Sequence, residues 1–451
     1  MNKQHPVLVV GGGLSGLSLG YALRQQGVPY RVLEASGRAG GVVESLHRNG
    51  FELDAGPNSI AMAPELRTYF EQLGLQDQIV EAAAASKDRY IVRNNQLHAI
   101  SPHPFKIMGS KFLSGGAKWK LFTEAFRKSK PASADESVAD FVARRFGREI
   151  ATYVFEPVLS GVYAGNINKL SIKEVMPMLV SWENQYGSVV KGLMKNKGAM
   201  GGRKIVTLRG GNASLTNKLA AVLGSDLQLN TKVTGVWQNA ADESYELSVS
   251  VNGLVSVIKA SQVVFTTPAY AAANALESMD HPLAAALRNI EYPAMGVLHL
   301  GYDRAALGKV PDGFGFLVPA AEQKHFLGMI YNSAIFPFKA PEGKALFTVF
   351  IGGANQQSVL QQPPENLQRQ VITEVNELLG ISAQPVMQQF QVWPHAIPQL
   401  NTGFDAVRQL TARFEAAHPG LYIAGNYSTG VAVPTIIRKA DDLALRIKEK
   451  Q

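Results

Sequence analysis

The spacing of apolar and polar positions says most at the start of the chain. Residues 6–10 (PVLVV) form a short β-branched apolar run, which predicts a buried strand. Gly11-Gly12-Gly13-Leu14-Ser15-Gly16 comes next. Between Ser15 and Gln26, apolar residues fall at Leu17, Leu19, Tyr21, Ala22 and Leu23. This amphipathic stretch predicts a helix, stopped by Gly27. Residues 30–33 are a second apolar run, ending on Glu34. Strand, glycine turn, helix, strand and acid in that order predict a βαβ unit for a dinucleotide. Gly11 would make the tight turn, Gly13 would let the backbone approach a pyrophosphate, and Gly16 would let the helix lie close on the strand. The helix N-terminus would face the phosphates with its unpaired N–H groups. Glu34 stands at the roughly 20-residue distance where a carboxylate accepts hydrogen bonds from a ribose.

The pattern continues with a second glycine turn, 35–42 (ASGRAGGV), and a strand that ends in a turn at 51–60 (FELDAGPNSI). Residues 64–73 read as a helix capped by Gly74. Residues 88–92 and 96–100 predict a hairpin around Asn94-Asn95. Residues 105–130 then interleave Phe105, Phe112, Trp119, Phe122 and Phe126 with Lys106, Lys111, Lys118, Lys120, Arg127, Lys128 and Lys130, against the single acid Glu124. Trp119, Phe122 and Phe126 share one face of a helix. That face either packs into the protein's own core or meets an interface with lipid. Helices are expected at 137–146, opened by a Ser137–Asp140 cap, and at 149–159. The basic, glycine-rich stretch 191–204 reads as a loop. Alternating strands are expected at 205–208, 227–231, 232–236, 245–251, 255–260 and 262–266, with a helix at 214–223. Residues 297–302, 316–319, 325–331 and 345–352 predict strands of another sheet, and 363–379 a long helix ended by Gly380. Residues 421–424 form a buried strand, and 430–434 lead into a last helix. The N-terminal unit is therefore expected to be completed by the C-terminus, with the intervening segments as insertions.

Composition narrows the class. The chain has 451 residues, 46% hydrophobic and 18% charged, with a net charge of +8. It is long enough for several domains, and its charge suits anionic partners. No basic cluster or recognition motif makes nucleic acid the leading reading. Cysteine is absent, which excludes disulfides, thiolate metal sites, a cysteine nucleophile and a flavin attached through cysteine. The opening residues predict neither a signal peptide nor a twin-arginine start. No run approaches the ~18 consecutive apolar residues of a membrane-spanning helix. The nine histidines show no ligand spacing, so no metal is expected.

The dinucleotide could be NAD or FAD. A second glycine turn, the D-A-G-P turn and a closing C-terminal strand favour FAD, held non-covalently. No nucleophile motif is present, as expected where the cofactor carries the redox chemistry. The reaction class is hydride transfer from a substrate carbon to the flavin.

Across 1–451 the sequence resembles the FAD-dependent protoporphyrinogen oxidases, in the monoamine oxidase-like flavoprotein superfamily. GGGLSGL and 33–41 (LEASGRAGG) carry only the superfamily. The stretches 155–165 (FEPVLSGVYAG) with Lys169-Leu170-Ser171, and 313–319 (GFGFLVP), are specific to the porphyrinogen oxidases. The ending from Ala424-Gly425 to Val433 also matches. The resemblance implies an α/β + α fold: a Rossmann-like, discontinuous FAD-binding domain (1–86, 204–268 and 412–451), an inserted mixed-sheet substrate domain (269–411) and a helical membrane-binding domain (87–203). It further implies that Gly11, Gly12, Gly13, Leu14, Ser15 and Gly16 hold the pyrophosphate and that Glu34 and Ala35 hold the ribose. Arg38 and Val42 would line the second turn, and Gly56, Pro57, Asn58 and Ser59 would pass near the flavin ring. Val233 would meet the adenine end, and Gly425, Val431, Ala432 and Val433 would close over the isoalloxazine. Arg89 would pair with a substrate propionate, a role suited to a guanidinium fork. Gly161, Phe314, Leu317 and Phe350 would line the cavity. Phe350 departs from the sulfur side chain that some members carry there.

The activity implied is a six-electron oxidation of protoporphyrinogen IX to protoporphyrin IX in haem synthesis, run as three flavin cycles with dioxygen reduced to hydrogen peroxide. No residue is assigned as a general base. The sister activity, oxidation of coproporphyrinogen III to coproporphyrin III, shares nearly every motif; Arg89 favours the first. An amine oxidase would offer a lysine near the flavin and an aromatic cage. A carotenoid desaturase is more remote. A flavin-binding scaffold at a membrane is the non-enzymatic reading. Expected partners are the porphyrinogen, dioxygen, a peripheral contact with the cytoplasmic side of an anionic inner membrane, and a ferrochelatase that takes the product.

Overall fold

The computed structural model describes residues 5–100, 109, 112–129, 135–196, 204–239, 244–308 and 311–450. Phe105, Lys106, Lys111, Lys130 and residues 197–203 of the basic loop lie outside them. The expected first unit is present as the strand Val7–Val10, the helix Leu14–Gln25 and the strand Tyr30–Leu33. They belong to a five-stranded, all-parallel sheet in the order Leu227–Gln228, Tyr30–Leu33, Val7–Val10, Gln262–Phe265, Leu421–Ile423. A parallel sheet needs cover on both faces. On one face Val7, Val9 and Val32 meet Leu17, Leu19 and Leu23 of the first helix, and Ile436, Ile437 and Ala444 of the last, Val433–Lys448. On the other, Leu8, Val10, Val263 and Phe265 join a core shared with the helices Ala269–Leu276, His281–Arg288 and Phe404–Ala417. The C-terminal strand thus completes the sheet, but through Gln262–Phe265 rather than beside the first strand.

The second large sheet has seven strands: Met387–Trp393, Met295–Asp303, Lys344–Gly352, Gly328–Ile330, Gly315–Leu317, Arg89–Arg93 and Gln96–Ile100. The hairpin at 89–100, grouped with the helices by the boundary at 87, is hydrogen-bonded into this sheet, with Arg89–Arg93 lying parallel to Gly315–Leu317. The helices of 269–288 cover the parallel sheet, so the inserted sheet begins at Met295. The strand Met387–Trp393 has no counterpart in the predicted elements. Its glutamines at 388, 389 and 391 obscure the alternation, and pairing with Met295–Asp303 supplies what its own propensity lacks.

Alternation assigns the faces of this sheet. Leu298, Leu300, Phe316, Met329, Phe347 and Val349 pack under the helix Pro364–Leu379, through Leu367, Val371 and Val375. The opposite, inner face carries Arg89, Leu317, Gly328, Thr348, Phe350 and His299, which share rows across the strands.

Between 112 and 196 the described residues are mainly helices joined by short turns. Ser137 caps Val138–Arg145, its Oγ accepting from Asp140 N at 3.1 Å while donating to the Asp140 carboxylate at 2.8 Å. The single helix expected at 149–159 is instead Arg148–Ile150, a π-helical turn Ala151–Phe155 and Glu156–Tyr163. Among the described residues no helix is long and apolar enough to cross a membrane.

Candidate functional site

Parallel strands deliver their outgoing loops to one edge of a sheet. Val7–Val10 leads into the glycine turn and the first helix, and Leu421–Ile423 leads through Gly425 and Gly430 to the last. Both helix N-termini therefore lie at the carboxyl edge of the sheet. Neither the cap Gly13 nor the cap Ala432 closes its helix with a side-chain hydrogen bond, so unpaired N–H groups remain for an anion.

The glycines behave as their spacing requires. Gly11 has φ +109°, open to glycine and strained for other residues. A Cβ at Gly16 would sit 1.8 Å from the Gly11 carbonyl oxygen. A Cβ at Gly13 would meet no atom within 4 Å: the protein leaves that space open. Gly40 N donates to Gly12 O at 2.8 Å, so the second turn lies against the first. Arg38 does not reach away from this turn. It donates to the Gly41 carbonyl at 2.6 Å and to those of Ala39 and Val43 at 3.3 Å, bracing the loop that leaves Val42 exposed.

Glu34 sits beside the first turn. Its carboxylate accepts from Gly12 N at 2.7 Å and from Ser36 N and Oγ at 2.8 and 2.7 Å. Thr231 N donates to Glu34 O at 2.8 Å, which brings the strand carrying Val233 alongside Glu34 and Ala35. Leu14 is buried and Ser15 half-buried at the helix start.

The turn 55–59 closes the third side. A Cβ at Gly56 would lie 2.0 Å from Val42 O, so only glycine permits the contact between these turns. Asn58 is buried and donates to Asp54 O and Gly56 O, both at 3.1 Å. Asn212 donates to Pro57 O at 2.7 Å, and Trp393 Nε1 to Ala55 O at 2.8 Å. Ser59 leads into the strand Ile60–Ala61. Beneath the turn, Asp54 forms a buried ion pair with Lys339 and accepts from Asn212 N at 2.9 Å and Ser45 Oγ at 2.5 Å.

The residues singled out for substrate converge on the inner face of the seven-stranded sheet. Leu317, Gly328 and Phe350 form one row. Gly161, on the helix Glu156–Tyr163, lies over this row: a Cβ there would be 2.6 Å from Leu317 Cδ2. Arg89 stacks on Phe314, its Cζ 5.0 Å from the ring centroid, and has no carboxylate partner among the described residues. Partial desolvation lowers its pKa from the usual arginine range, yet the group remains a cation. Glu156 fixes Gly161 from below. Its buried carboxylate accepts from Ser160 Oγ at 2.8 Å, Ala320 N at 3.0 Å and Asn355 Nδ2 at 3.1 Å, while burial raises its pKa. Lys339 and Asn332 do not stand out in the sequence; Asp54 and Glu156 lie within the D-A-G-P turn and the stretch 155–165, but nothing there announces the partners they take.

Such a crevice fits a dinucleotide with an extended ring system. The open space at Gly13, the uncapped helix ends and the three touching turns supply backbone donors and room without a side chain to displace. The family described as flavin containing amine oxidoreductase matches residues 14–444. Protoporphyrinogen oxidase 2 of Arabidopsis thaliana is 30% identical over 98% of this chain and 94% of its own length. Coproporphyrinogen III oxidase of Bacillus subtilis is 26% identical, over 96% of each chain. A crystal structure of an Exiguobacterium sp. 255-15 protein superposes with a TM-score of 0.84 over the whole of both chains at 22% identity, which shows the shared fold.

Proposed function

This chain belongs to the flavin-containing amine oxidoreductase family, as an FAD-dependent oxidoreductase of its porphyrinogen oxidase branch, and from that premise we propose that it oxidises protoporphyrinogen IX to protoporphyrin IX. The observation that carries the choice of substrate is Arg89, an exposed guanidinium with no carboxylate of its own among the described residues, stacked on Phe314 beside an apolar row. It is placed to take one carboxylate of a largely flat, apolar molecule. FAD, when bound, accepts hydride and passes electrons to dioxygen, so that three rounds remove six electrons and six protons and release three molecules of hydrogen peroxide. The protein's part is placement. Gly11 to Gly16 and the helix N-termini hold the pyrophosphate, with Glu34 and Ala35 on the ribose and Val233 at the adenine end. The turns carrying Arg38 and Val42, and Gly56 to Ser59, flank the ring, and Gly425 with Val431, Ala432 and Val433 closes it. Leu317, Gly161, Phe314 and Phe350 exclude water from the reacting carbon.

We also propose that the helical region docks on anionic lipid. Trp119 is 66% exposed, Phe122 60% and Phe126 83%, beside exposed Lys120 and Lys128. Aromatic side chains held in water next to lysines suit a bilayer interface. Product released at such a surface would pass to a membrane-side ferrochelatase.

The test is aerobic turnover of both porphyrinogens by the FAD-loaded protein, with the product read by fluorescence. Protoporphyrinogen should turn over faster, and Arg89→Ala should raise its KM about tenfold with little change in kcat. Faster turnover of coproporphyrinogen, with its four propionates, would replace this reading with the sister activity. A yellow protein inert to both would leave a flavin scaffold.

A further inference from the structure

A line of polar side chains runs where the inner face of the seven-stranded sheet should be apolar. His299 and Thr348 are opposite one another on adjacent strands. Asn332, on the short helix Asn332–Ile335, lies beyond Thr348, and Asn58 beyond Asn332. All four are buried. Thr348 Oγ1 donates to Asn332 Oδ1 at 2.7 Å, and Asn332 Nδ2 donates to Asn58 Oδ1 at 2.9 Å. The Thr348 hydroxyl proton is therefore spent, and its 2.9 Å contact with His299 Nδ1 leaves it only as acceptor. His299 must carry its proton on Nδ1. Donation thus runs one way, from His299 through Thr348, Asn332 and Asn58 to the carbonyls of Asp54 and Gly56.

The imidazole is neutral: burial and the nearby Lys339 ammonium both disfavour its cation. Its Nε2 has no partner among the described residues and is closed off from both solvent and crevice. His299 therefore touches neither flavin nor substrate. It can act only through the chain it heads.

We propose that His299 and Thr348 are positioning residues that set the Asn58 amide, and through it the Gly56–Ser59 backbone, against the flavin ring. The inference rests on the reading above that this turn lies at the ring. Without donation from His299, the Thr348 hydroxyl is no longer obliged to spend its proton on Asn332, and without the hydroxyl the Asn332 amide is oriented by Asn58 alone. Asn58 then loses the partner of its Oδ1, and its Nδ2 holds the Asp54 and Gly56 carbonyls less firmly.

The experiment uses FAD-loaded wild type, Thr348→Val, Thr348→Ser, His299→Phe, His299→Gln and Asn58→Ala. Bound-flavin absorption and midpoint potential are recorded with kcat and KM. Thr348→Val and His299→Phe should shift the flavin band and potential and lower kcat about tenfold at unchanged KM. Thr348→Ser and His299→Gln, which keep the donor, should restore wild-type values. If Asn58→Ala changes the spectrum while Thr348→Val and His299→Phe change only thermal stability, the relay is structural and the proposal is overturned. If Asn58→Ala leaves spectrum and potential untouched, the placement of the turn at the ring fails, and the proposal falls with it. Should the valine variant not fold, Asn332→Ser breaks the chain at its middle and is read by the same quantities.

Discussion

The nucleotide lobe hides aliphatic side chains and offers backbone; the helical region hides charges and offers aromatic rings. At the carboxyl edge of the parallel sheet the glycine turns meet through their backbones, and side chains brace them, as Arg38 and Asn58 do. On the 3₁₀ turn Thr123–Phe126 the usual order is reversed. Glu124 is 0% exposed while Phe122 and Phe126 stand in water. Its carboxylate pairs with buried Arg145, accepts from Ser188 Oγ at 2.5 Å and receives Val189 N and Val190 N at 3.1 and 3.2 Å, capping the helix Val189–Lys195. Arg145 also reaches Glu183, which pairs with Arg144 and so with Glu136. Rigid presentation of an apolar patch to the outside therefore needs an anchor that is not apolar, and a buried ion-pair cluster provides one whose geometry cannot slide.

Four perturbations test this contrast. Glu124→Ala should have the largest effect, because it leaves buried Arg145 with Glu183 at 3.3 Å as its remaining carboxylate and uncaps the helix Val189–Lys195; a loss of about 3–5 kcal/mol is expected in denaturant unfolding. A loss under about 1 kcal/mol would mean that the cluster anchors nothing. His299 probes the neutral form of buried polarity. Its pKa is held at about 3 against an ordinary 6.5. Above pH 6.5 both folded and unfolded states are neutral there. As pH falls, only the unfolded chain gains the proton, so stability is lost between pH 6.5 and 3. Between pH 7 and 5 wild type should lose about 2 kcal/mol more than His299→Gln; parallel pH profiles would show that the imidazole titrates freely.

Gly13→Ala should leave thermal stability of the apo-protein unchanged, since a methyl group there meets no protein atom. It should weaken FAD about tenfold, near 1.4 kcal/mol, in a titration of apo-protein. Unaltered affinity would take the cofactor's phosphates away from this turn. Replacing Trp119, Phe122 and Phe126 together by serine should change folding stability least, within about 0.5 kcal/mol. It should also abolish sedimentation with anionic vesicles. A destabilised but still vesicle-bound variant would return these rings to a packing role.

How much of this was legible in the sequence depends on the range of the interaction. Gly11, Gly16 and Gly56 announce themselves because a steric rule acts within a few residues or across adjacent turns. Arg89, Leu317 and Phe350 share a face because strand alternation is local, although only the pairing shows which face looks inward. The hairpin at 89–100 was visible as a hairpin, but its partner Gly315–Leu317 lies more than 200 residues away, and hairpin periodicity carries no address. The polar relay was out of reach for a related reason. Asn332, Thr348 and His299 are each ordinary residues in sequence, and their meaning lies in hydrogen bonds to a turn at residue 58. Glu124, a lone acid among lysines, has the sequence context of a solvated charge; its burial depends on Arg145 and the start of a helix at 189.

The place of Leu421–Ile423 in the parallel sheet also sets a timetable. Translation at roughly 5–20 residues per second puts on the order of 20–80 s between the emergence of the first strand and that of the last. For the last part of that interval, once Gln262–Phe265 has been made, this strand is an open edge and the crevice lacks one wall. A chain stopped short of residue 421 would carry the glycine signature on a sheet that lacks its edge strand Leu421–Ile423.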